Sequence, residues 1–426
     1  MITLNSQQRE AVDKMHESLK GPAQMFMLEG SAGTGKTTCV QTLLREAAEK
    51  TFVLSAPTNK ATKVLREMSE KEGVSAICRT IYALLGLRVT KDSEFVQVEP
   101  VGDSDVMNFD VVIVDEASMV NSRLFEFMAD AAAASAVKFI FMGDPLQLPP
   151  VGEVSSPTFS VKLKFTLTKV ERHDNQILKF ATSLRECILR GAPLTFKSDS
   201  DDKGGVFCVD WRRMQKQIEN AYTSDSYLSR QGSIKTIAWR NATVANYNAI
   251  VRKALYGERA DVEDFILNER VVATHAVAQL DDEMDIRMVT DEEADVVALQ
   301  TGPHPMFPDI HCYWLTLESE FSDLWAHGFV VHASSRKTYD NLLNRLAEQA
   351  RKREVPWSSF WGLKNQYFHD IRTCAAITAH RSQGSTYEST FVDVEDIMAN
   401  RDKSEALRCL YVAATRAQRV LVMKTR

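Results

Sequence analysis

The residues with the clearest chemistry are Gly30-Ser31-Ala32-Gly33-Thr34-Gly35-Lys36-Thr37, which fit G-x-x-x-x-G-K-[ST]. Glycines at this spacing let successive backbone N–H groups converge on phosphate oxygens. A helix opening near Lys36 adds the partial positive charge of its N-terminus. Lys36 is then placed to reach β- and γ-phosphates and the Thr37 hydroxyl to ligate Mg²⁺, and the binding run extends to Thr38. A second group, Val111-Val112-Ile113-Val114-Asp115-Glu116, is an apolar strand that ends on two carboxylates. Asp115 suits the magnesium ion, and Glu116 suits the orientation or deprotonation of an attacking water. In a third, Gly143-Asp144-Pro145-Leu146-Gln147-Leu148-Pro149-Pro150, Gln147 stands just past a strand, where its amide can sense a γ-phosphate. Hydrolysis of a nucleoside triphosphate, Mg-ATP, is the chemistry these groups share.

Such groups act together only if one sheet delivers them to its C-terminal edge, where open α/β sheets bind ligands. The chain supplies one. Met25 to Leu28, Phe52 to Ala56, Phe109 to Val114 and Val137 to Met142 are apolar runs, as strands buried on both faces require. Between them, Lys36 to Lys50 and Asn59 to Lys71 repeat apolar residues at helical spacing. The pattern returns near the C-terminus, with strands at Ser233 to Trp239, Ser389 to Val394 and Arg419 to Met423 and helices at Asn241 to Leu255 and Ser404 to Ala417. The fold class is therefore α/β, with two parallel sheets flanked by helices.

Two segments interrupt these units. Leu87 to Val98 alternates like a β-hairpin, with polar Lys91 to Glu94 at its turn and Phe95 directly after it. Phe95 is either a wedge for a terminal base pair or a core residue. Residues 268–370 combine short β-rich pieces with a charged helix, Lys337 to Glu354, and then V-P-W-S-S-F-W. There Trp357, Phe360 and Trp361 fall at i, i+3 and i+4, one apolar helix face. The expected organisation is a first unit over 1–185 with the hairpin at 87–105, a second over 186–267 and 371–426, and an inserted subdomain over 268–370.

Composition sets the outer limits. With 44% apolar and 25% charged residues, the 426-residue chain can bury a core without staples. Seven scattered cysteines form no C-x-x-C pair, which speaks for a reducing compartment and against a disulfide framework or zinc site. No apolar run approaches the ~18 residues of a membrane span, and the polar N-terminus does not read as a signal peptide. The net charge of −6 is concentrated: Asp281 to Asp295 carries eight acids and one base, leaving the rest near +1. That run reads as a solvated loop, and the remainder is compatible with a basic groove.

The order of these motifs resembles that of superfamily 1 DNA helicases, in particular the RecD/Dda-like branch. Leu4-Asn5-Ser6-Gln7-Gln8 resembles its adenine-reading Q motif, with Gln8 in the glutamine position. Ala56-Pro57-Thr58-Asn59-Lys60-Ala61 and Thr80-Ile81 resemble motifs that touch single-stranded DNA, although Asn59 replaces a frequent histidine. Leu167-Thr168-Lys169-Val170-Glu171-Arg172 resembles the segment bearing one arginine finger. Leu410-Tyr411-Val412-Ala413-Ala414-Thr415-Arg416-Ala417 resembles the segment bearing the other, Arg416. Thr378-Ala379-His380-Arg381-Ser382-Gln383-Gly384 resembles a second-domain motif.

The resemblance implies two RecA-like P-loop domains with a pin hairpin in the first and an SH3-like, partly helical insertion in the second. It implies DNA contacts at Pro57, Thr58, Asn59, Lys60, Thr80, Phe95, His380, Arg381 and Gln383. It also implies ATP and Mg²⁺ as cofactors, 5′ to 3′ movement on single-stranded DNA, and unwinding of a fork in phage replication or recombination. A monomer in the host bacterial cytoplasm, working beside a single-stranded-DNA-binding protein, completes the expectation. An RNA strand, or an ATPase switch that remodels without unwinding, stays open. A non-translocating P-loop kinase or switch has no use for the second-unit motifs, and a non-catalytic scaffold has none for Lys36, Asp115, Glu116 and Arg416.

Overall fold

The computed structural model describes residues 4–71, 73, 76–92, 95–169, 176–202, 204–278, 286–319 and 325–425. The first sheet is built from β1 (Met25–Gly30), β2 (Phe52–Ala56) and β3 (Ile77–Thr80). A hairpin of β4 (Leu87–Asp92) and β5 (Phe95–Pro100) follows, and then β6 (Val111–Val114), β7 (Lys138–Gly143) and β8 (Lys164–Leu167) complete the sheet. Its order is β3-β2-β6-β7-β1-β8, with every pairing parallel. Strand alternation divides the core in two. Val111 and Ile113 pack with Phe26, Leu54 and Ile140 on one face, and Val112 and Val114 pack with Met27, Val53 and Phe139 on the other. This is why the run reads as continuously apolar, and it places all three chemical groups on one edge.

The second unit contributes β9 (Asp199–Asp201), β10 (Gly204–Val209) and β11 (Ile234–Ala238) before an interruption. The interruption holds β12 (Arg270–Ala273), β13 (Val277–Ala278), β14 (Ile286–Met288), β15 (Glu293–His304), β16 (Phe307–Ser319), β17 (Ala326–Val331) and β18 (Ile371–Thr373). The second unit then resumes with β19 (Ala376–Thr378), β20 (Tyr387–Asp393) and β21 (Ala417–Lys424). Its sheet, β19-β11-β20-β21-β10-β9, is parallel except at β9.

The inserted module is a five-stranded antiparallel sheet, β17-β16-β15-β12-β18. It closes on itself by pairing its entry strand β12 with its exit strand β18, so it extends to Thr373, three residues past the expected boundary. In the helix Trp357–Gly362 the aromatic rings pack edge to face, Trp357 on Phe360 at 5.7 Å and Phe360 on Trp361 at 4.9 Å. That helix lies beside β4 of the hairpin. The hairpin pairs Asp92 with Phe95, a tighter turn than the sequence suggests. The Phe95 side chain, and with it the choice between wedge and core, lies outside the described residues.

Candidate functional site

The phosphate loop leaves β1 at Gly30 and enters the helix Lys36–Glu46 through Gly35. Gly35 has φ +88°, a backbone strained for any other residue, and an added Cβ would stand 2.3 Å from Nε2 of Gln8 and displace that amide. Gln8 Nε2 donates to the Thr34 carbonyl at 3.1 Å, while its Oε1 accepts from the Asn5 N–H at 3.1 Å. The structure thus has Gln8 bracing the loop, with both ends of its amide engaged inside the protein. Lys36 Nζ donates to the carbonyls of Gly30 at 2.7 Å and Ser31 at 3.2 Å, folded back over the concavity that its motif would offer to phosphates.

Asp115 and Glu116 follow β6, as the apolar run demands. Glu116 takes up left-handed backbone (φ +50°, ψ +42°), which turns its side chain toward the second unit. Burial pushes both carboxyls above their usual range, against the pull of Lys36 on Asp115 and Arg416 on Glu116. Two neighbouring, desolvated carboxyls offer the hard oxygen donors that a magnesium ion takes. Gln147 is 8% exposed, and its Oε1 is buried without a hydrogen-bond partner. An orphaned acceptor at this edge suits a ligand, since an unsatisfied buried polar atom is otherwise costly.

Across the cleft, Arg416 ends the helix Lys403–Thr415 of the second unit. Its Nη1 stands 4.0 Å from Glu116 Oε1, and it is held by the carbonyls of Val412 at 3.1 Å and Ser385 at 3.0 Å. Arg172, the other expected finger, lies outside the described residues.

The expected DNA contacts divide into three groups. Asn59 and Thr80 line a groove of about 400 Å³ between the first unit and the inserted module, together with Arg66, Arg79, Arg287 and Glu292. Thr378 and Arg381 line another of about 400 Å³ between the second unit and the inserted module, with Asn241 of the former and Arg372 of the latter. Thr58 caps the helix beginning at Asn59, its Oγ1 accepting from the Ala61 N–H at 3.2 Å, while Pro57 precedes it half-buried. His380 sits 3.3 Å from Glu405 and is half-exposed. Gln383 does not join the groove. It is 6% exposed and donates across the units to the Leu148 carbonyl at 3.3 Å, because Gly384 (φ +72°) turns the chain against Thr58 and Ala61.

Residues 3–187 match the family described as AAA domain, and residues 373–423 match the UvrD-like helicase C-terminal domain. The ATP-dependent DNA helicase dda of Enterobacteria phage T4 is 25% identical over 97% of this chain and 98% of its own length. The uncharacterized protein R530 of Acanthamoeba polyphaga mimivirus is also 25% identical over 97% of this chain and 98% of its own. The chain is a superfamily 1 helicase of the Dda/RecD-like branch. Its fold is that of Pif1 helicases: a Pif1 structure at forked double-stranded DNA covers the whole chain and 92% of that protein, with a TM-score of 0.54 at 16% identity.

The acidic run is where this helicase departs furthest from its sequence reading. Residues 281–285 of it lie outside the described residues, but its end, at Asp291 and Glu293, is no solvated loop: it meets cations of all three modules. Glu293 at the start of β15 pairs with Lys235 of β11 at 2.9 Å, Arg270 of β12 at 3.2 Å and Lys60 of the first unit at 3.8 Å. Asp291 pairs with Arg381. Two of the cations expected on DNA therefore already face carboxylates. Burial alone would raise the Glu293 carboxyl, but Lys235, Lys60 and Arg270 outweigh it and lower it to about 2. A depressed carboxyl contributes stability above its unfolded value and loses it as pH falls through the folded one. In urea denaturation, the gap between wild type and Glu293→Gln is therefore expected to be full at pH 6. It should shrink as pH falls from about 4.5 toward 2. A gap independent of pH would show that the charge of Glu293 is not what holds the junction.

Sequence reasoning also missed Arg185, Arg408 and Tyr411, which grip the Asp144–Gln147 turn from far along the chain. Tyr411 Oη donates to Asp144 Oδ2 at 2.6 Å, and Arg185 Nη1 donates to both Asp144 oxygens at 2.7 and 2.8 Å. The only local sign was an acid placed directly after β7.

Proposed function

We propose that this chain is an ATP-dependent DNA helicase that travels 5′ to 3′ along single-stranded DNA, in phage replication or recombination. The observation carrying the reading is that Arg416 of the second unit faces Glu116 of the first, so the hydrolytic centre is complete only when the two units close. Bound Mg²⁺ would supply a Lewis acid on the β- and γ-phosphate oxygens, held by Thr37 and Asp115. The run Gly30 to Thr38 offers backbone donors to the phosphates, and Lys36 leaves its carbonyls for them. Glu116 orients the water and takes its proton, the free Oε1 of Gln147 can accept from that water while its Nε2–H is the end able to donate to the γ-phosphate, and Arg416 faces the charge that develops on transfer. The strand would run over the groove at Asn59 and Thr80 and on to the one at Thr378 and Arg381, held through its backbone and so without sequence preference. The T4 relative, named as an ATP-dependent DNA helicase, supports the assignment, and the polarity rests on family resemblance.

The test is ATP turnover with and without single-stranded DNA, followed by unwinding of duplexes bearing one tail. DNA should stimulate turnover, and 5′-tailed duplexes should separate while 3′-tailed ones do not. Preference for the 3′ tail would reverse the polarity. Stimulated turnover with neither duplex separated would make the protein a remodelling switch.

A further inference from the structure

We propose that Arg408 is a positioning residue for hydrolysis: it holds the Asp144–Gln147 turn so that the amide of Gln147 meets the γ-phosphate only while the cleft is closed. The proposal rests on the reading of Gln147 given above. One guanidinium nitrogen, Nη1 of Arg408, donates to the carbonyls of Pro145 at 2.8 Å and Gln147 at 2.9 Å. These two carbonyls flank the turn, and the Gln147 N–H closes it on the Asp144 carbonyl at 3.1 Å. Asp144 itself is fully buried and anchored by Tyr411 and Arg185. The turn is thus fixed at both ends by side chains of the second unit and of the helix Gln176–Arg190.

Arg408 and Tyr411 lie one turn apart on the helix Lys403–Thr415, and Arg416 follows at its end. One rigid element therefore carries the finger and the grip on the glutamine. If the helix withdraws by an ångström, Arg416 and Gln147 lose their geometry together. Misplacement of that size costs about 10²-fold in rate. Lysine can also donate to two carbonyls from one nitrogen, but its ammonium sits one bond nearer the backbone than Nη1 of arginine and reaches both carbonyls less well. None of the groups Arg408 bonds is a reacting atom, so its effect must pass through Gln147.

The experiment compares Arg408→Ala, Arg408→Lys, Gln147→Ala and the Arg408→Ala/Gln147→Ala double variant in single-turnover hydrolysis at saturating single-stranded DNA. Affinities for ADP and for ADP–aluminium fluoride are measured alongside. We expect Arg408→Ala to slow hydrolysis roughly 10- to 100-fold and to weaken the transition-state analogue but not ADP. Arg408→Lys should recover only part of the rate. The double variant should be no slower than Gln147→Ala within about threefold, as for residues acting as one unit. Wild-type rates in Arg408→Ala, or losses that multiply in the double variant, would overturn the proposal. So would equal weakening of ADP and its analogue. If Arg408→Ala does not fold, Arg408→Lys is read against Gln147→Ala by the same criterion. Unimpaired hydrolysis in Gln147→Ala would instead sink the reading of the glutamine, a separate and recognisable failure.

Discussion

Lys36→Ala is expected to reduce DNA-stimulated ATP turnover by at least about 10²-fold, the scale of losing one preorganised charged donor. The lysine is the only side-chain cation that the phosphate motif itself carries. Its Nζ now satisfies the carbonyls of Gly30 and Ser31, so it stands within the loop rather than in solvent. Alanine leaves the backbone donors and both conformationally demanding glycines, Gly33 at φ +81° and Gly35 at φ +88°, in place. The loop should fold and the melting temperature should hold. Steady-state turnover at saturating single-stranded DNA is the measurement, and a rate near wild type would remove the loop from the mechanism.

Arg416→Ala is expected to leave ATP binding within a few-fold of wild type while slowing hydrolysis about 10³-fold, the lower end of what an arginine finger supplies. The split between binding and rate follows from position. Arg416 belongs to the second unit, is 5% exposed, and reaches Glu116 rather than the phosphate loop. It contributes where charge develops, and little to ground-state affinity. The variant also removes a cation from beside two buried carboxyls, so Glu116 should titrate higher and the acidic limb of the pH–rate profile should move up. Equal losses in affinity and rate would reassign Arg416 to nucleotide binding.

The first unit was legible because its chemistry is local. Gly30 to Thr37 and Val111 to Glu116 each specify a strand, a turn and a function within eight residues. β8 escaped notice because Lys164 to Leu167 is a short edge strand with only Leu167 buried. β3 escaped for a similar reason, with only Cys78 buried among its four residues. The acidic run misled because charge density suggests solvent when each acid is counted alone. Glu293 is buried by three cations that come from residues 60, 235 and 270, and no window of sequence shows them together. Arg408 and Tyr411 were hidden for the same reason, gripping a turn more than 260 residues earlier. Gln383 parts from its motif neighbours: His380 is half-exposed beside Glu405 and Arg381 pairs with Asp291, but past the 3₁₀ turn His380–Ser382 the glutamine lies inward.

The pairing of β12 with β18 has a consequence for ancestry. Entry and exit of the inserted module are adjacent strands, about 4.8 Å apart across their hydrogen bonds. From the viewpoint of the parallel sheet, about a hundred residues occupy the doorway of a hairpin. β11 and β19 pair directly beside it whether the excursion is long or short. Such a module behaves as a cassette: lineages can lengthen, trim or exchange it without moving the residues that hydrolyse ATP. The engine and its attachment are joined by ion pairs, Glu293 with Lys60 and Lys235, Asp291 with Arg381 and Glu269 with Arg252, so a change of cassette must keep or replace those few charges.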